Sequence, residues 1–174
     1  MPLNKYAPQV ATQRRTQIAI LAGAKNLIAS VGLKKMSMIE IADVSEVSRA
    51  TLYNHYRDKE SVIRAVCESE MARLVTIAQS APNSTDALEL LSLQVSQDAA
   101  LAAMRTYDSE NLTNALAKQD DLLWQGFAIA MTHIVANPVV SELCIRWLIG
   151  QAMYPLNAVQ SRQQAEVLTG FANL

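Results

Sequence analysis

The reading of this chain turns on Ser37–Val62, SMIEIADVSEVSRATLYNHYRDKESV. It parses as two short helices joined by a tight turn, followed by the start of a third, longer helix. Ser37 is placed to cap the first, which carries Ile39, Ile41, Ala42 and Val44. Ser45 and Glu46 make the turn. Ser48 is placed to cap the second, Arg49 to Tyr56, and Asp58 the third, whose first turn holds Glu60 and Ser61. Each cap is a residue type whose side-chain oxygen accepts an N–H that a helix start leaves free. A short helix, a tight turn and a capped second helix form the helix-turn-helix pattern, which places the second helix in the major groove of DNA.

Outward from this stretch the residues carry a family resemblance. Ile41-Ala42, then Val47-Ser48, Arg49 and ATLYNHY to Tyr56, then Lys59, resemble the DNA-binding domain of the tetracycline-repressor (TetR) family. Upstream, Ile20, Leu21, Ala24, Leu27, Ile28 and Gly32 fall where that family's first helix has its apolar spine and closing glycine. The resemblance covers about residues 12 to 65. One departure stands in the turn, where the family usually has Ala-Gly and this chain has Ser45-Glu46. If that site needs a positive φ, a glutamate there costs roughly 1 kcal/mol. The turn is then either strained or differently shaped.

The predicted DNA-contacting residues are Ser37, Ser48, Arg49, Ala50, Thr51, Tyr53, Asn54, His55 and Lys59. Arg49 lies at the N-terminal end of the second helix, the end that enters the groove. An arginine bonds guanine O6 and N7 bidentately and discriminates a wrong base by roughly 1–3 kcal/mol. Ala50 and the Thr51 methyl suit a thymine methyl, and Tyr53 and Asn54 project further along the helix. The resemblance implies base reading by Arg49, Ala50 and Tyr53. It implies phosphate contacts by Ser37, Thr51, Tyr53, His55 and Lys59. Lys59 also opens a helix, where free N–H groups favour an anion. Two plainer readings stay open: Arg49 gripping only phosphate, and His55 only capping or packing. Leu52 and Tyr56 face the bundle core.

Composition bounds the rest. The chain has 174 residues, 51% of them apolar and 5% aromatic, with only five glycines and five prolines. That balance predicts an all-α protein with a sizeable core. No apolar run is long enough to span a bilayer and no signal peptide opens the chain, so a cytoplasmic protein is expected. Cys67 and Cys144 lie far apart and in no motif, which favours buried structural thiols over a disulfide or redox pair. Residues 1–66 hold ten basic and five acidic residues, and the remainder holds five basic and eleven acidic. A basic N-terminal third on an acidic body points one end toward a polyanion.

Residues 1–11 contain Pro2 and Pro8 and no periodicity, so they read as a loose arm. Lys5, Arg14 and Arg15 are then candidates for phosphates or an adjacent minor groove, against a tail that contacts nothing. Helix 1 opens at Thr12 or Thr16, buries Ile18, Leu21, Ala24, Ile28 and Val31, and closes at Gly32. A long helix runs from Lys59 to Ala81, shared between the DNA-binding bundle and the body. The next is capped by Thr85 or Asp86 and runs to fray near Arg105, burying Leu88, Leu91, Val95, Ala99 and Ala102. A short helix covers Glu110 to Ala117. Lys118-Gln119-Asp120 is a loop, and Asp121 opens a helix to Val135 that is apolar nearly all round and therefore central. Pro138 starts a helix that Pro155 ends or kinks, and Ala158–Phe171 forms the last.

The predicted domains are residues 1–65, an arm and helix-turn-helix domain, and 66–174, a helical ligand-binding and dimerisation domain. Met104, Tyr107, Trp124, Phe127, Met131, His133 and Trp147 are candidate pocket residues, although methionines and aromatics at helical spacing are more often plain core. Cys144 and Tyr154 lie in the same region. The resemblance implies that the last two helices form a four-helix bundle across a two-fold axis. Its face here is Leu143, Leu148, Ile149, Ala152, Val167 and Leu168, with Gly150 allowing close approach.

Catalytic signatures are lacking: no G-x-S-x-G, phosphate loop, dinucleotide fingerprint or metal-spaced His/Cys cluster is present, so neither an enzyme nor a cofactor is expected. The resemblance implies a homodimeric transcriptional repressor of a pseudo-palindromic operator, released when a small molecule binds the body and shifts the shared helix. The alternative is an all-helical interaction protein whose helix-turn-helix no longer reads DNA, for which Glu46, Glu40 and Asp43 are the support.

Overall fold

The computed structural model describes residues 7–117 and 122–171. Ten α-helices and no strand occur among the described residues. The chain divides into two compact units between Ser69 and Glu70.

The N-terminal unit holds α1 (Ala7–Val31), α2 (Met38–Val44), α3 (Arg49–His55) and the first half of α4 (Lys59–Gln79). Its core is Ile20, Ala24, Leu27 and Ile28 of α1 with Met36, Ile41, Leu52, Tyr56, Val62 and Val66, all buried. Gly32 closes α1 with φ 83°, a left-handed cap that a glycine adopts without penalty. Two expectations change here. First, α1 begins at Ala7 rather than at Thr12 or Thr16, so residues 7–11 are helical and not a loose arm. Pro8 falls in the first turn, where its missing N–H has no intrahelical partner to lose, and the following residues are mostly good helix formers. Lys5 lies outside the described residues. Second, Ile18 is 59% exposed and Val31 is also exposed, because the buried stripe runs through Ile20, Ala24 and Leu27 and leaves both outside it.

The C-terminal unit holds the rest of α4, α5 (Ser84–Ser96), α6 (Ala99–Tyr107), α7 (Ser109–Ala117), α8 (Leu122–Val135), α9 (Pro138–Met153) and α10 (Ala158–Phe171). α5 packs on α10 and α9, and α8 packs on α9. Their shared core includes Leu88, Leu91, Phe127, Met131, Val140, Cys144, Leu148 and Ala165. The single helix expected from residue 85 to 105 is two. Asp98 starts α6 by accepting the Leu101 N–H at 2.9 Å, so the chain breaks at Gln97 and Ala99 is exposed. The cap of α5 is Asn83, whose Oδ1 accepts the Asp86 N–H at 2.9 Å, rather than Thr85 or Asp86. The expected loop at residues 118–120 and the start at Asp121 lie outside the described residues.

α8 is apolar all round but not central all round. Phe127, Met131 and Val135 enter the core, while Leu122 is 80% exposed and Ile129 is exposed too. A helix packed on α9 and α5 buries the faces it presents to them and no more.

A polar layer sits inside this unit. Ser92, Ser96, Gln151 and Ser161 are all buried, and Ser92 Oγ donates to Ser161 Oγ at 2.7 Å. With its amide nitrogen toward Ser92 Oγ (2.7 Å), Ser92 O (3.1 Å) and Ser96 Oγ (3.2 Å), Gln151 accepts from Trp147 Nε1 at 3.2 Å. Ser96 Oγ also accepts the Leu156 N–H at 3.1 Å, tying α5 to the α9–α10 turn. At the edge, Arg162 of α10 donates to Asp86 Oδ1 (2.7 Å) and Glu89 Oε2 (3.0 Å) of α5, and to Glu166 Oε1 (2.7 Å).

Candidate nucleic-acid interface

The site is built on α2, the turn and α3. Ser37 and Glu40 form a capping box: Ser37 Oγ accepts the Glu40 N–H at 3.3 Å and Glu40 Oε2 accepts the Ser37 N–H at 2.9 Å. At the other end of α2 the Val47 N–H donates to Ala42 O (3.0 Å) and the Glu46 N–H to Asp43 O (3.2 Å). This pair of bonds is the Schellman closure, and it requires a left-handed residue at position 46. Glu46 supplies it with φ 55°. The turn is therefore strained, not reshaped, and its backbone is the one a glycine would give.

α3 starts at Ser48, whose Oγ accepts the Thr51 N–H at 3.0 Å and lies 2.8 Å from Thr51 Oγ1. Leu52 and Tyr56 are buried, the side of the helix that meets the bundle. Ser48, Arg49, Ala50, Tyr53 and Asn54 are exposed, while Ser37, Thr51, His55 and Lys59 are half-buried. The helix thus presents Arg49, Ala50, Tyr53 and Asn54 outward on a scaffold fixed by two caps and a buried leucine. The His55 and Tyr56 rings lie 6.3 Å apart.

Lys59 has a job inside the unit. Its Nζ donates to Leu33 O and Met36 O, both at 3.0 Å, and so closes the loop between α1 and α2. Beside it, Arg57 is 91% exposed and donates to Asp58 Oδ2 at 3.0 Å. Asp58 caps α4 by accepting the Ser61 N–H at 2.8 Å; that bond first, then Arg57, holds its carboxyl below the usual carboxylate range. Gln17, Tyr56, Arg57, Arg64 and Glu68 line a cleft of about 470 Å³ along α1 and α4. Burial pushes the Tyr56 phenol above its ordinary value, opposed by the facing Gln17 side chain.

In the C-terminal unit the seven predicted pocket residues do not converge. Phe127 and Met131 are buried in the core, with Trp124 edge-on to Phe127 at 6.3 Å and Trp147 packed on the same core. Met104 is half-buried on α6, Tyr107 is exposed, and His133 borders a separate surface cleft of about 290 Å³ with Gln79, Asn83 and Ser84. The predicted dimer residues also divide. Leu148 and Ala152 are buried in the unit's own core and Ile149 and Leu168 are half-buried, while Leu143 and Val167 are exposed. Exposed with them are Val139 of α9 and Val159 and Phe171 of α10, and a β-carbon at Gly150 or Gly170 would meet nothing within 4 Å. Sequence reasoning passed over Arg57, for which the only signal was its charge.

No group of three or more His, Cys, Asp or Glu residues among the described residues could hold a metal ion. No single helix among them is long and apolar enough to cross a membrane.

A capped three-helix bundle that holds a strained but regular turn and an exposed polar α3 defines a helix-turn-helix transcriptional regulator. Residues 20–66 match the family described as bacterial regulatory proteins, tetR family. The match covers the N-terminal domain and supports a DNA-binding transcriptional regulator. Solved structures share the fold. SCO7518 from Streptomyces coelicolor A3(2) is similar at TM-score 0.63 and 17% identity, over 89% of this chain and 98% of that one. The dihydroxyacetone kinase operon activator DhaS is similar at TM-score 0.63 and 14% identity, over 91% and 96%. GusR of Salmonella enterica follows at 0.60 and 19%, over 90% and 93%. No curated protein matches the chain at a significant level.

Proposed function

We propose that this regulator acts as a cytoplasmic homodimer on a pseudo-palindromic operator, as a repressor that a small molecule releases. The observation that carries DNA reading is α3 itself, with Arg49, Ala50, Tyr53 and Asn54 exposed on a helix whose caps and buried Leu52 fix its orientation. Arg49 reads a guanine, and Ala50 and Tyr53 contact neighbouring bases. Ser37, Ser48, Thr51 and His55 lie around them for the phosphate backbone. Two such helices held about one DNA turn apart read an inverted repeat, which a single module binds weakly.

Dimerisation is supported by the open apolar stripe on α9 and α10, Val139, Leu143, Val159 and Val167 with Gly150 and Gly170. Glycines in the last turns of α9 and α10 beside empty space suit the close approach of a second copy's helices. For effector release the support is the family resemblance. An apolar effector would enter by displacing side chains near Trp124, Phe127, Met131 and Trp147. DhaS bears the name of an activator, so the sign of regulation is part of what is tested. The regular turn at Glu46 speaks against the reading of a disabled helix-turn-helix.

The test is selection of bound duplexes from a random pool, then affinity against salt for the winner with wild type and Arg49→Ala. An inverted repeat, a steep salt slope and lost preference at one position per half-site in the variant are expected. Binding without any consensus would overturn the reading. A reporter downstream of the selected operator then assigns repression or activation.

A further inference from the structure

The position where phosphate gripping is expected, Lys59, is already occupied with the protein. Two of the three ammonium donors go to Leu33 O and Met36 O, 3.0 Å each, across 26 and 23 residues of chain. That is a structural clamp on the α1–α2 loop. Arg57, two residues before it, has no such duty. Arg57 is 91% exposed and held only by adjacent Asp58, an exposed pair of the kind that contributes little and exchanges readily.

α1 offers the second cation. Its core contacts start at Ile20, yet the helix begins at Ala7, and residues 11–15 and 17–18 are exposed. These turns are not a floppy tail, so Arg14 leaves the bundle in a set direction. Its direction can be read from Gln17, which lines the cleft with Tyr56 and Arg57 at the C-terminal end of α3. Arg14 lies one turn before Gln17 on the same face of α1. No hydrogen bond or ion pair engages Arg14 among the described residues. The electrostatic setting suits a polyanion: the first 39 residues of the chain contain no aspartate or glutamate, and six lysines and arginines. Glu60 and Glu68 line the same cleft and oppose an anion inside it, while Arg57 in its lining is 91% exposed and free to reach outward.

We propose that Arg14 and Arg57 grip the DNA phosphates beside the recognition helix, and that Lys59 positions the α1–α2 loop without gripping the backbone. This rests on the DNA-reading function proposed above. Guanidinium groups suit the role because they offer forked donors to phosphate oxygens, and a pre-formed helix removes part of the ordering loss on binding.

The experiment measures affinity against salt for the selected operator and for an unrelated duplex, together with thermal midpoints. The proteins are wild type, Arg14→Ala, Arg57→Ala and Lys59→Met. Each arginine substitution is expected to weaken both duplexes by the same factor and to flatten the salt slope by about 0.9 per protomer bound. Base preference and melting temperature should not move. Lys59→Met is expected to lower the melting temperature and keep the slope. Unchanged slopes in both arginine variants, or a slope lost in Lys59→Met, would overturn the proposal. If wild type selects an Arg49-dependent operator while the arginine variants keep its slope, only this assignment falls. If wild type binds no duplex, the DNA-reading function falls with it.

Discussion

Gly23 in α1 lies directly against Ser45 at the end of α2. A β-carbon at position 23 would fall on Ser45 Oγ, with Ser45 Cβ only 3.3 Å away. The serine in the turn is thus accommodated by a glycine 22 residues earlier, and the two fix how closely α1 approaches the helix-turn-helix. Gly23→Ala is expected to destabilise the protein by about 1–3 kcal/mol through overpacking, despite alanine's better helix propensity. Ser45 Oγ is also buried with no hydrogen-bond partner, so Ser45→Ala should stabilise by roughly 1 kcal/mol. In the double variant the two effects should couple, with part of the Gly23→Ala loss recovered; a denaturant double-mutant cycle measures it.

Among the described residues, two non-glycine residues hold left-handed backbones at helix ends, Glu46 at φ 55° and Ala136 at φ 59°. The Ala136 N–H donates to Thr132 O at 2.9 Å and closes α8 as Gly32 closes α1. Glu46→Gly and Ala136→Gly are each expected to raise stability by about 0.5–1 kcal/mol, although glycine loosens the unfolded chain. Gly32→Ala should do the reverse. Thermal melts of the three variants check all of them, and a destabilised Glu46→Gly would show that the glutamate side chain contributes more than its backbone strain removes.

If the α9–α10 stripe is a dimer face, charge placed on it should separate the copies and leave each folded. Leu143→Lys and Val167→Lys are exposed changes and should shift sedimentation to the monomer at little loss of helicity. Operator affinity should fall with them, while binding to one half-site persists. A dimer that survives both substitutions would place the interface elsewhere.

Cys144 is fully buried in the core of α9, and desolvation pushes its thiol up to about 12. In the unfolded chain a thiol titrates near about 8.5. Above that pH the unfolded state loses a proton that the folded state keeps, so stability falls as pH rises. The loss approaches about 1.4 kcal/mol per unit until the folded group titrates. Cys144→Ala should flatten this alkaline limb in denaturant titrations. A thiol reagent near neutral pH should label exposed Cys67 quickly and Cys144 only at the rate of unfolding.

Gln151 donates to Ser92 and Ser96 at once in the buried layer joining α5, α9 and α10, while the Trp147 indole N–H has its shorter bond to Gln164 Oε1 at 2.6 Å. Gln151→Leu removes the donor to Ser92 and Ser96 and should destabilise by about 1–3 kcal/mol. Adding Ser92→Ala should recover part of the loss, read by the same denaturant titrations. A neutral Gln151→Leu would mean the layer carries no stability of its own.

Local chemistry was legible in advance. Ser37 and Ser48 are cap residues by type, Gly32 is a left-handed closer by type, and Pro138 starts a helix by type; each acts through atoms within one turn of itself. The Arg49–His55 helix and the match over residues 20–66 follow from the same short-range pattern. The break at Gln97 was hidden because apolar residues continue on both sides of it, and only Asp98 signals it.

What the residues could not declare was which of several equivalent faces meets a neighbour. Ile18 and Ile20 are the same side chain two positions apart, one exposed and one at 0% exposure, because the bundle lies on one side of α1. Leu143 and Leu148 separate in the same way on α9, and Lys59 faces two carbonyls that approach only when the α1–α2 loop folds back. By itself the sequence determined the helix-turn-helix and its caps at Ser37 and Ser48, since these depend on contacts a few residues apart. Only the tertiary structure decided burial, the fit of Ser45 onto Gly23 and the inward engagement of Lys59. Those depend on atoms brought together from about 20 residues or more away, where no periodicity records them.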